Sequence, residues 1–111
     1  MSEILNQALL GELKEIMEDD FPSLLETFVA ESSRQYVEAS EAWKARDMEV
    51  LRRAAHSLKG SCGNIGAEML QATCEVIEYS AKDGEVEDVP TLLVQAESQL
   101  AEVHSALQEL H

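Results

Sequence analysis

Hydrophobic residues recur along almost the whole chain at three- and four-residue steps, and no six-residue window shows the alternation of β-branched residues that marks a half-buried strand. That period commits the chain to helices. The first stretch, roughly residues 3–17, sets Ile4, Leu5, Leu9, Leu13, Ile16 and Met17 on one side and runs into the acidic cluster Glu18-Asp19-Asp20. A second starts after Asp20, a candidate cap, with Pro22 in the first turn, where its missing N–H costs nothing. Its inner stripe is Leu25, Phe28, Ser32, Tyr36, Ala39 and Trp43.

The pattern breaks over Lys44–Asp47, where Asp47 can cap a third helix that carries Leu51, Ala54, Ala55, Leu58, Cys62 and Ile65 inward. That helix ends within Gly60-Ser-Cys-Gly63-Asn-Ile-Gly66. A fourth, from about Ala67, buries Leu70, Cys74, Ile77 and Ala81 and stops at Asp83-Gly84, where glycine can turn left-handed. Asp88 or Val89 with Pro90 opens the fifth, striped by Leu93, Ala96, Leu100, Val103, Leu107 and Leu110. Short connections between helices of similar length make neighbours antiparallel. The expected fold is therefore all-α: an antiparallel up-and-down four-helix bundle with an extra N-terminal helix, one domain over residues 1–111.

Charge narrows the partners. Against 8 Lys and Arg stand 22 Asp and Glu, a formal charge of −14, whereas nucleic acids and anionic membranes demand a basic footprint. Neither is an expected partner. The N-terminus lacks a basic region with a cleavage site, and no apolar run approaches the roughly 18 residues of a membrane span. A cytoplasmic monomer is expected, and an initial Met with no linker at either end favours a free-standing protein. Cys62 and Cys74 fit neither a redox CxxC pair nor a zinc pattern, so they read as reduced, buried thiols.

The informative residues lie on the third helix. At about 100° per residue, Leu51, Ala54, Leu58 and Ile65 fall opposite His56, which therefore points to solvent. Its neighbours on that face are Glu49, Arg52, Arg53, Lys59, Gly60 and Gly63. Two glycines inside a helix each cost up to about 1 kcal/mol relative to Ala. With Ser57 and Ser61 beside them, they leave the imidazole above a bare surface that another protein's backbone could approach. A neutral imidazole, whose unperturbed pKa is about 6.5, is a nucleophile at cytosolic pH, and Lys59 one turn on can favour the charge of a phosphoryl group attached to it. Residues 44–60 carry a net charge of +3 and the remainder −17, a cationic island on an acidic body suited to an incoming anionic centre.

His56-Ser-Leu-Lys59-Gly60-Ser, followed by Gly66 ten residues after the histidine, resembles the signature of histidine phosphotransfer (HPt) domains, over almost the whole chain. The resemblance implies a four-helix bundle that accepts a phosphoryl group on an exposed helix histidine from the aspartyl phosphate of a receiver domain and hands it to another receiver. On that reading His56 is the phospho-acceptor, Lys59 stabilises the phosphoryl group and Gly60 keeps access open. Arg52, Arg53, Ser57 and Gly63 then line the receiver docking face. The partners implied are receiver domains of hybrid sensor kinases and of response regulators. Some members place a Gln on the facing helix to bond the active histidine; the matching position here is Glu78. A carboxylate there could orient the ring and raise its pKa but would repel a phosphoryl group, so it is assigned no firm role.

No metal cluster or phosphate loop accompanies His56, so the chain is expected to be a phosphocarrier and not an enzyme, with no cofactor of its own and Mg²⁺ supplied by the receiver. The glycine-rich run lacks the preceding strand and GK[ST] ending of a phosphate loop. A carboxylate-bridged metal enzyme needs inward Glu-x-x-His pairs, yet the residues three before His56, His104 and His111 are Arg53, Ala101 and Gln108. A non-catalytic acidic helical adaptor would explain the charge but not the Gly60 and Gly63 clearing. The HPt segment of a larger hybrid kinase is a further alternative. His104 reads as a surface residue, and Tyr36 and Trp43 as packing.

Overall fold

The computed structural model describes residues 4–110, and the hydrophobic period becomes five α-helices: α1 (Gln7–Met17), α2 (Phe21–Lys44), α3 (Met48–Ile65), α4 (Glu68–Asp83) and α5 (Val89–Gln108). Each of α2 to α5 packs on the next, and α2 meets α5 to close the ring. Side-chain pairs fix the directions. Ser32 meets His104 while Tyr36 meets Leu93, and His56 meets Glu78 while Gly63 meets Gln71, so both pairs of helices run antiparallel. Leu25, Leu51, Leu58, Ile65, Leu70, Ile77, Leu93 and Leu100 fill the centre. Burying a side chain of this size is worth roughly 1.5–3 kcal/mol, which is what holds an α3 interrupted by two glycines in helical form.

Helix ends follow the sequence in part. Asp47 accepts from Val50 N at 3.1 Å, as a cap worth about 1 kcal/mol. Asp20 does not cap: a 3₁₀ turn over Glu18–Asp20 feeds straight into α2, and Asp20 itself holds helical angles that keep its carboxylate from folding back. Gly66 and Gly84 end α3 and α4 in the left-handed region, at φ 80° and 77°. At Gly66 space is as restrictive as angle, because a Cβ would lie 2.9 Å from Asn6 Cβ. Its carbonyl accepts from Asn6 N at 2.8 Å, docking the N-terminal segment on the α3–α4 turn.

α1 is shorter than expected. Asn6 caps it by accepting from Leu9 N at 3.0 Å, and residue 3, where the helix was expected to begin, lies outside the described residues. Leu5, ahead of the helix, and Leu10 are the buried side chains, while Ile16 is exposed; α1 meets α2 and, through Leu9, the α3–α4 turn at Gly66. Leu110 is likewise exposed, because α5 ends at Gln108 and the stripe ends with it. Tyr36 and Trp43 are half-buried packing residues; the Tyr36 hydroxyl donates to Leu93 O, and the Arg46 guanidinium lies 4.0 Å over the Trp43 ring. Cys62 and Cys74 are free and buried, and the neighbouring Cys74 thiol together with burial pushes the Cys62 thiol far above its ordinary range. No described helix is long and apolar enough to cross a membrane.

Candidate functional site

α3 is packed from both sides, and its inner face of Leu51, Ala54, Ala55, Leu58, Cys62 and Ile65 leaves one strip of the helix outside. His56 stands on that strip with 63% of its side chain exposed. One turn on, a Cβ at Gly60 would meet nothing within 4 Å, so the absence of a side chain there leaves bare helix surface beside the ring. Gly63 differs from expectation: a Cβ would fall 3.0 Å from Gln71 Nε2, so this glycine makes room for an α4 side chain and does not extend the clearing.

The antiparallel pairing of α3 and α4 sets Glu78 opposite His56. Glu78 Oε2 lies 2.9 Å from His56 Nδ1, and Oε1 lies 2.7 Å from Lys59 Nζ. One carboxylate, only 12% exposed, thus bridges both residues. Burial pushes the Glu78 carboxyl up, but Lys59 and His56 outweigh it and hold it below the ordinary range. The carboxylate in turn raises the Lys59 ammonium, so the two stay charged near neutral pH. A carboxylate only accepts, so Nδ1–H donates to it, and in the neutral ring the lone pair is on Nε2.

Glu78 also corrects the picture of a free cationic island. The Lys59 ammonium is engaged by Glu78 and does not stand free beside the ring. Arg52 donates to Glu49 at 3.3 Å through Nε, and Arg53 Nε lies 4.0 Å from the same carboxylate. Ser57 is exposed on the same strip, and Ser61 turns toward α2, donating to Gln35 Oε1 at 3.0 Å. The structure therefore gathers His56, Lys59 and Gly60 with Glu78, and places Arg52, Arg53 and Ser57 along the same exposed helix. Among the described residues, no group of three or more His, Cys, Asp and Glu is placed to hold a metal ion.

His104 is not a free surface residue. It is half-buried, its Nε2 lies 2.9 Å from Ser32 Oγ, and its ring meets Phe28 edge-on with centroids 6.1 Å apart. Ser32 Oγ donates to Phe28 O at 2.6 Å, which leaves it to accept from His104 Nε2–H. A serine in the middle of an apolar stripe was the available signal for such a partner.

A profile of the Hpt domain family matches residues 23–110. The chain is 28% identical over 111 residues to the phosphorelay protein LuxU of Vibrio cholerae, covering 99% of this chain and 98% of that relative. It is 32% identical over 87 residues to LuxU of Vibrio vulnificus, covering 78% and 76%. The crystal structure of histidine-containing phosphotransfer protein B from Pseudomonas aeruginosa superposes with a TM-score of 0.94 at 37% identity, over 98% of this chain and 95% of that one. An HPT domain of a sensor hybrid histidine kinase from Shewanella shares the fold, with a TM-score of 0.79 at 20% identity over 96% and 92% of the two chains.

Proposed function

The chain belongs to the Hpt domain family, and from that premise we propose that it is a phosphorelay intermediate in which His56 takes a phosphoryl group from the aspartyl phosphate of one receiver domain and passes it to the aspartate of another. The observation that carries this reading is the bridged, exposed imidazole: Nδ1 is held by Glu78 at 2.9 Å while the ring is 63% exposed beside an open Gly60. Nε2 is then the nucleophile. Its lone pair forms a bond to phosphorus as the phosphorus–oxygen bond to the receiver breaks, and the aspartate leaves as a carboxylate. Nδ1 keeps its proton, so the ring becomes cationic, and the Glu78 carboxylate stabilises that charge. Onward transfer reverses these steps, with the electron pair returning to Nε2.

Lys59 serves the other end of the reaction. Its ammonium is paired with Glu78 one turn from His56, and there it offsets the repulsion a carboxylate would otherwise exert on a phosphoryl group. This reading makes the chain a cytoplasmic phosphocarrier and not a kinase, and it assigns the Mg²⁺ of the transfer to the receiver. The test is labelling by a phosphorylated receiver. The adduct is expected to be acid-labile and base-stable, as a phosphoramidate is, and His56→Gln is expected to abolish it with helicity unchanged; label that persists in the variant overturns the assignment.

A further inference from the structure

The outer face of α4 is apolar where an exposed helix face should be charged. Met69, Ala72, Val76 and Tyr79 follow one another at steps of three, four and three residues and all point away from the core, with Met69 41%, Val76 49% and Tyr79 50% exposed. The run covers eleven residues, about 15 Å of helix. α2 shows what such a face looks like without this stripe: Arg34 pairs with Glu31 and Glu38, and Lys44 with Glu41. A contiguous stripe at coiled-coil spacing is the pattern that receives another helix, and scattered single apolar residues are not.

Charge decides which helix. From Gly60 to His111 the chain has a single Lys or Arg, Lys82, against ten Asp and Glu. Glu75 and Asp83 flank the stripe on α4 itself. A second copy would bring the same carboxylates face to face, and an anionic membrane would meet them head-on, so both are opposed by repulsion. A helix with Lys or Arg beside its apolar seam is matched on both counts. We propose that the α4 face from Met69 to Tyr79 docks a basic amphipathic helix of a partner protein. This surface does not depend on the chemistry of His56, and the two can be tested apart.

The test titrates the ¹⁵N-labelled protein with a 14-residue helical peptide carrying Leu at three- and four-residue spacing and Lys at the flanking positions, beside a peptide of the same composition in scrambled order. Saturable shifts confined to the outer face of α4 and the adjoining edge of α5 are expected. The scrambled peptide and the Val76→Asp variant should each weaken binding at least tenfold, with Ala72→Glu as a second variant and circular dichroism to check that both fold. His56→Gln should bind as the unaltered chain does. The proposal is overturned by shifts spread over the acidic surface at large, by equal binding of the scrambled peptide, or by binding that survives both variants. It is also overturned if sedimentation equilibrium shows a dimer that Val76→Asp dissolves, since the occupant would then be a second copy.

Discussion

Two histidines of this molecule are held in contrasting ways. His56 on α3 leans on a carboxylate and keeps most of its ring in water; His104 on α5 leans on a hydroxyl and keeps much of its ring in the bundle. At His56 the partner is charged, anchored by Lys59 and able to stabilise a cationic ring, so the outer nitrogen is available for chemistry. At His104 the partner is neutral and already committed to Phe28 O, so the hydroxyl offers a positive charge no counter-ion and the ring ties α5 to α2. On the proposed reading, the same side chain is reactive or structural according to what holds its first nitrogen and how wet the second one is.

The largest break in that contrast comes from exchanging the histidines one at a time. His56→Gln is expected to remove phosphoryl transfer entirely and leave the unfolding midpoint in place. His104→Gln should do the reverse, keeping transfer while losing about 1 kcal/mol of stability, read by chemical denaturation. Loss of transfer in both variants would erase the distinction. Next in size is the approach to His56. Gly60→Gln should slow transfer from a receiver more than about tenfold, equivalent to ~1.4 kcal/mol, by filling space that a partner's backbone needs. Gly60→Ala should at the same time raise stability by roughly 0.5–1 kcal/mol, since the site is helical and nothing obstructs a methyl group. Gly63→Ala lacks that gain unless Gln71 moves.

Lys59→Ala sharpens the account of the bridge. It leaves a largely buried Glu78 carboxylate facing the phosphoryl group with no ammonium between them, and transfer measured by receiver labelling should fall roughly tenfold. Glu78→Gln in the same background should restore part of the rate, because the amide still accepts from Nδ1–H but no longer repels. A double variant slower than Lys59→Ala alone would show that the carboxylate's charge helps throughout.

Much of this was legible in the amino-acid order. The 3.6-residue period and the cap at Asp47 placed the four bundle helices, and the angle count put His56 outside with Lys59 and Gly60 beside it. What the period could not reach was anything that depends on the pairing of two helices. Glu78 lies twelve residues past Gly66 and His56 ten before it, so a fold about that glycine sets them opposite, but only the structure shows one carboxylate taking both His56 and Lys59. Gly63 failed for the same reason: whether a helical glycine is a clearing or a socket depends on Gln71 of the next helix. At α1 the stripe misled: it set Ile16 inside and passed over Leu10, whereas the fold exposes the first and buries the second.

The smallest effect separates the histidines by pH. Burial lowers the pKa of His104 in the folded chain below its ordinary value near 6.5. The unfolded chain then takes up a proton at a higher pH than the folded one does, so between the two values it binds more protons and stability falls as pH falls. The contribution of His104 is therefore complete above about pH 6.5 and is lost as the solution is acidified toward the lowered folded value. Carboxylates elsewhere also titrate on the acid side, so the informative quantity is the difference between the unaltered chain and His104→Gln. That difference should shrink from about 1 kcal/mol at pH 7.5 as the pH falls below 6.5. A gap that stays constant across this range would mean that His104 is not held neutral by burial, and the contrast with His56 would then rest on exposure alone.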